Sequence, residues 1–248
     1  AEGNEPLDAT TAGTGELIRE AVESGARRGI VAVGGSATTD GGLGALRAMG
    51  SSARYRGIEL LVACDVRTPF TGAAEVFGPQ KGASPSQIEM LRRRLVRLAQ
   101  RYEDDFGIDV ADLDRAGAAG GLAGGLAAIG GELVDGIDLV AEELALDEAL
   151  EGADLVVTGE GMLDVTSYQG KVVGGVSAYA AAAGLPVLVV AGQVTTDLAG
   201  HPDVVSLVER FGEERARTDP AGCVEAVVAE VAGGAGTGVA GTDRGVRR

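Results

Sequence analysis

The sequence predicts an α/β protein built on parallel strands, and three observations carry that expectation. Apolar runs such as residues 29–35 and 58–66 lack the alternation of a half-exposed strand and read as strands covered on both faces. They alternate with stretches of helical period. Loops rich in glycine and hydroxyl residues follow them directly, at the strand ends where parallel sheets gather ligands.

Taken in order, a first helix is expected from about Thr14, with Glu16 in its first turn, Leu17, Ile18, Ala21 and Val22 on one face, and Gly25 to stop it. The segment before it, "AEGNEPLDATT", reads as a linker. A strand, "GIVAVGG", leads through the loop "GGSATTDGG" to a short helix over 43–49. A second strand, "IELLVACDV", ends at "RTPFTG". Between Pro85 and Asp105, Ile88, Leu91, Leu95 and Leu98 form the clearest helical stripe, and Arg92, Arg93, Arg94, Arg97 and Arg101 form a solvated face. The Gly/Ala-rich residues 116–131 read as a helix packed close to neighbouring backbone, and "GIDLVAEELALDEAL" as another. From Ala153 a strand–loop–helix–strand rhythm sets in, "DLVVTGEG", "GKVVGGVSAYAAAAG", "PVLVVAGQV", with a last strand near "DVVSL". The glycine-rich end of the chain reads as disordered.

Composition narrows the function. The formal net charge of −16 argues against binding nucleic acid through its phosphates, which takes a basic surface. No apolar run approaches the roughly 20 residues of a membrane span, and nothing at the start resembles a secretion signal. A soluble, cytoplasmic chain is therefore expected, with no membrane partner. Cys64 and Cys223 lack metal or disulfide spacing, and His201, the single histidine, reads as a surface loop residue. Only two of the 21 basic residues are lysines, Lys81 and Lys171, and each adjoins a glycine. A compact ammonium beside flexible backbone suits a phosphate.

The loops can do specific chemistry. Gly34, Gly35, Ser36, Thr38, Gly41 and Gly42 offer backbone N–H groups and hydroxyls to an anion, in a pattern that is neither GxGxxG nor the P-loop. The first strand-to-helix turn therefore speaks against a dinucleotide-dependent oxidoreductase. Asp40 could orient a substrate hydroxyl, take its proton, or cap the following helix. Glu160 and Asp164, expected just past a strand, could hold Mg²⁺ through oxygen and water, with Lys171 neutralising phosphoryl charge. Asp65 is expected at the same sheet edge. Phosphoryl transfer is the natural reading.

At these residues the chain resembles the bacterial glycerate kinase family, through "GGSATTDGG" at 34–42, "FGPQKGAS" at 77–84, "GAAGGL" at 117–122, and "TGEGMLD" with "GK" at 158–171. The resemblance runs from about Asn4 to Val231 and implies ATP-dependent phosphorylation of D-glycerate, favouring the 2-position, with ATP and Mg²⁺ as cofactors. It also implies two α/β domains with the active site in the cleft between them. Here these would be residues 1–145 as a middle domain and 146–232 as a Rossmann-like parallel sheet left incomplete, since family members begin about a hundred residues earlier. Residues 233–248 would be a tail. Asp40, Lys81 and Lys171 would be catalytic, the loop glycines, Ser36, Thr38 and Asp65 would bind substrate or phosphate, and Glu160 and Asp164 would hold the metal. The chain departs from the family at Thr39 (commonly Asn), Met162 (commonly Arg) and Gln169 (commonly His). A remnant without turnover, serving as a ligand-binding or oligomerising module, is the alternative, and homo-oligomerisation stays open.

Overall fold

A computed structural model describes residues 3–168, 172–201 and 203–233. Its described residues fall into two compact units, one up to Leu139 and one from Val140. Both are α/β, each on its own three-stranded parallel sheet.

The first unit runs α1 (Ala12–Glu23), β1 (Arg28–Ala32), α2 (Leu43–Met49), β2 (Glu59–Ala63), α3 (Ala73–Phe77), α4 (Pro85–Phe106), α5 (Leu122–Ala128), β3 (Glu132–Val134) and the start of α6 (Gly136–Glu143). Strand order is β1-β2-β3, with Ala32 opposite Ala63 and Ala63 opposite Val134. The central strand β2 is the buried one, through Leu60, Leu61 and Val62. β1 corrects the expectation of a strand covered on both faces: it lies at the sheet edge, and Ile30 is 47% exposed.

Helix α4 shows why the local sequence is decisive. Ser84 accepts from the backbone N–H of Gln87 while the Gln87 side chain accepts from the N–H of Ser84, a reciprocal cap. Pro85 opens the first turn, and Gly107, at φ 75°, ends the helix in the left-handed region. The predicted stripe is realised: Leu91 and Leu95 are fully buried, Leu98 nearly so, and they pack with Phe70, Tyr102 and Val110. The arginine face finds its counter-charges largely on the helix itself, Glu89 for Arg92 and Arg93, and Asp105 for Arg101.

Residues 116–131 are not one helix. Ala119, Gly120 and Gly121 adopt left-handed φ of 51°, 66° and 91° before α5 begins, and β3 follows. The glycines do permit close packing: a side chain at Gly120 would overlap the Thr38 carbonyl, and one at Gly125 would reach within 2.7 Å of the Gly41 oxygen. The stretch 136–150 likewise breaks, at Ala145 with φ 49°, into α6 and α7 (Leu146–Leu150).

The second unit continues with β4 (Val156–Leu163), α8 (Val172–Ala182), β5 (Val187–Val194), β6 (Val204–Ser206), α9 (Leu207–Phe211), α10 (Glu213–Thr218) and α11 (Pro220–Gly233). The three C-terminal helices had no counterpart in the sequence reading. Strand order is β4-β5-β6. Leu188 and Val190 of β5 pack against Leu207, Cys223 and Val227, whereas Val189 and Ala191 pack against Leu163 and Val173. Cys64 and Cys223 are buried free thiols, and burial pushes Cys64 up to about 12. No helix among the described residues is long and apolar enough to cross a membrane.

Candidate active site

The sequence-predicted residues separate by unit. The loop after β1, Asp65 and Lys81 belong to the first unit, and Glu160 and Asp164 to the second. Asp65 therefore does not share a sheet edge with Glu160: it follows β2, and Glu160 lies in β4 of the other sheet. Lys171 and Gln169 lie outside the described residues, as do residues 234–248 of the predicted tail, whose first residue, Gly233, instead ends α11.

The loop is held from inside by its carbonyl groups. Asn4 donates its Nδ2 to the Ala37 oxygen at 3.1 Å and to the Lys81 oxygen at 2.8 Å. Lys81 donates its Nζ to the Thr38 oxygen at 2.6 Å, and the Tyr102 hydroxyl donates to the Gly41 oxygen at 2.9 Å. With these carbonyls committed inward, the N–H groups of residues 34–40 donate to no protein group among the described residues. Gly34 and Gly35 are exposed, and Gly35 has the positive φ of 65° that such a turn requires. Ser36 and Thr38 are half-buried, and their hydroxyls make no hydrogen bond among the described residues. Consecutive unspent N–H groups are how a loop of this kind holds an anion.

Gly41 and Gly42 serve differently. The Gly41 N–H goes to the Gly120 oxygen and the Gly42 N–H to Asp40, while their bare α-carbons admit Phe70, Leu98 and Gly125. Asp40 is also committed. Its carboxylate accepts from Thr11 N–H (2.9 Å), the Thr10 and Thr11 hydroxyls, Gly42 N–H (3.0 Å) and Gly44 N–H (3.1 Å). It thus caps α2 and ties the opening segment to the loop. That segment, read from sequence as a linker, is part of the site's frame.

Lys81 is 3% exposed, beneath the loop, with its ammonium 5.8 Å from the Phe77 ring centre. Burial lowers it to about 8, and the Asp40 carboxylate opposes that shift. Thr39 is 1% exposed, and its hydroxyl has no partner among the described residues. Asp65 is exposed beyond the end of β2, its Oδ1 resting over Gly136, and no described group donates to it.

In the second unit, β4 runs through Leu163, so "TGEGML" is strand and not the loop beyond it, because pairing with β5 resumes at Met162 and Leu163. Glu160 is half-buried, and its Oε1 has no partner among the described residues. It lines a cleft of about 590 Å³ together with Thr158, Gly192, Gln193 and Arg217, between apolar walls that include Val190 and Leu207. Asp164 ends the strand, and its Oδ1 accepts from the N–H and hydroxyl of Thr166 and the N–H of Ser167. His201 is exposed.

The residues that sequence reasoning missed are those holding the loop: Asn4, Thr11 and Tyr102. Tyr102 carried a signal, since it ends the apolar stripe of α4 with a hydroxyl that burial obliges to find a partner.

A sequence model described as the glycerate kinase family matches residues 1–54 and 51–235. Glycerate 2-kinase of Escherichia coli K12 is 39% identical over 230 residues, which cover 80% of this chain and 60% of that protein. Glycerate kinase of Bacillus subtilis is 38% identical over 224 residues, 77% of this chain and 59% of that one. A crystal structure of glycerate kinase 2 from Salmonella typhimurium LT2 superposes with a TM-score of 0.73 at 34% identity, covering 94% of this chain and 72% of its own. The chain spans about three fifths of the length of the curated relatives it matches.

Proposed function

This chain belongs to the glycerate kinase family, and from that premise we propose that it transfers the γ-phosphoryl group of ATP to D-glycerate, at the 2-position. The observation that carries the reading is the loop 34–42, with its carbonyls tied down and the N–H groups of 34–40 unspent. Such a loop holds a carboxylate or phosphate without reorganising, and phosphoryl transfer is largely a matter of positioning and charge stabilisation.

In this reading the N–H groups of Gly34 to Thr38 and the Ser36 and Thr38 hydroxyls grip the anionic end of a reactant. Lys81 and Asp40 shape the loop from behind. In the second unit, the unpartnered Glu160 oxygen suits a hard cation. Asp164 suits it less, one of its oxygens being spent on the turn that follows. No cluster of three or more metal-ligating side chains occurs among the described residues. Mg²⁺ commonly takes one or two carboxylates and keeps water and phosphate oxygens for the rest. Bound there, the ion would neutralise charge on the nucleotide phosphates. Lys171 is assigned to phosphate on its motif alone.

Phosphorus NMR of the chain with ATP, Mg²⁺ and D-glycerate tests the proposal. The expected product resonance is a doublet, since phosphorus at the 2-position couples to one proton; a triplet would place it at the 3-position. Absence of product from a folded sample defeats the reading. Lys171→Met should lower kcat/KM at least about tenfold, and unchanged turnover would remove that lysine from the mechanism.

A further inference from the structure

We propose that Asp65, not Asp40, is the carboxylate that takes the proton from the acceptor hydroxyl; this rests on the reading of the chain as a kinase of a hydroxy acid. The two aspartates differ in what their oxygens already do. Asp40 accepts from backbone N–H groups of Thr11, Gly42 and Gly44 and from the Thr10 and Thr11 hydroxyls. A carboxylate so committed has little hydrogen-bonding capacity left for a substrate. Asp65 is exposed and accepts from no described group.

Position favours Asp65 as well. β2 is the central strand of its sheet, and its ladder continues one residue past the strand, with the Cys64 N–H donating to the Val134 oxygen. Asp65 is the next residue, at the carboxyl end where parallel sheets receive ligands. The unspent loop begins on the neighbouring strand, where the Val33 N–H donates to the Ala63 oxygen. The loop and Asp65 thus leave adjacent strands about 4.8 Å apart, which places an acceptor held on the loop beside the Asp65 carboxylate.

The carboxylate has room because residue 136 is glycine. A Cβ on Gly136 would lie 2.5 Å from Asp65 Oδ1, and Gly136 is not among the positive-φ glycines, so its backbone suits alanine. In the step itself, the acceptor oxygen bonds to the γ-phosphorus of ATP. The bond from that phosphorus to the β,γ-bridging oxygen breaks, and ADP departs with the electron pair. The hydroxyl proton passes to Asp65 and then to solvent.

The test compares wild type, Asp65→Asn, Gly136→Ala and Asp40→Asn by steady-state kinetics with ATP, Mg²⁺ and D-glycerate, and by thermal melting. Expected is a fall in kcat of about a hundredfold or more for Asp65→Asn, with KM for glycerate within about threefold and an unchanged melting temperature. Gly136→Ala should lower kcat about tenfold while leaving melting unaltered, because it only displaces the carboxylate. Asp40→Asn should lose thermal stability. An active wild type with Asp65→Asn near full turnover overturns this assignment while leaving the kinase reading intact. Loss of kcat in Asp40→Asn without loss of stability gives the role to Asp40 instead. A wild type silent toward glycerate and other short hydroxy acids removes both the reading and the inference.

Discussion

Asp40 and Lys81 face each other across the loop and do opposite electrostatic work. Asp40 gathers donors from Thr11, Gly42 and Gly44. Asparagine there keeps one acceptor oxygen but sets an N–H₂ against N–H groups. Asp40→Asn should cost about 1–3 kcal/mol, read as a lowered urea midpoint. Lys81 is a buried cation whose titration falls to about 8. Above that value the folded lysine is neutral, while an unfolded one stays protonated to about 10.4. The unfolded chain then binds the extra proton, so this residue's contribution to stability rises with pH across that window and is least favourable below it. Wild type should therefore gain in melting temperature over Lys81→Met between pH 7 and pH 9.5. A difference that stays constant would mean that the ammonium is better solvated than its 3% exposure implies.

Among elements, the crossing of α1 and α2 is set by one missing side chain. A Cβ at Gly15 would overlap the backbone of Ala45, whereas one at Gly13, two residues earlier on α1, meets nothing within 4 Å. Gly15→Ala should destabilise by about 1–3 kcal/mol through overpacking, and Gly13→Ala should stabilise by up to about 1 kcal/mol through helix propensity. Denaturant unfolding that gave both substitutions the same sign would remove close packing as the cause. The same contrast explains what the sequence disclosed. α4 was legible because its cap, its proline, its stripe and its terminal glycine are all local. β3 was not: three residues beyond a Gly/Ala run carry too little pattern, and pairing with β2, some seventy positions away, makes it a strand. The reach of β4 was misjudged because "TGEGML" has turn composition and only the ladder with β5 holds it extended. The loop's motif was visible, and capping was one of the roles left open for Asp40, but the loop's supports came from 33, 43 and 61 residues away, so the burial of Lys81 beneath it was not legible.

At the scale of the whole molecule, the family was readable because its motifs are contiguous. The remaining global property is charge. A chain of net charge −16 is proposed to bind two anions, ATP and glycerate. Its long-range field opposes their approach, whereas the loop N–H groups and Lys81 act within a few ångströms. Salt distinguishes the two ranges, since the screening length is about 10 Å at 0.1 M and about 30 Å at 0.01 M. Raising ionic strength from about 0.01 to 0.15 M, at fixed free Mg²⁺, should therefore screen the repulsion while sparing the contacts. KM for both substrates should fall about two- to fivefold, with kcat unchanged. A KM that climbs with salt would show that the reactants are drawn in by a local positive field strong enough to outweigh the rest of the chain. The cationic face of α4, with Arg93 and Arg101 exposed, would then be the first place to substitute.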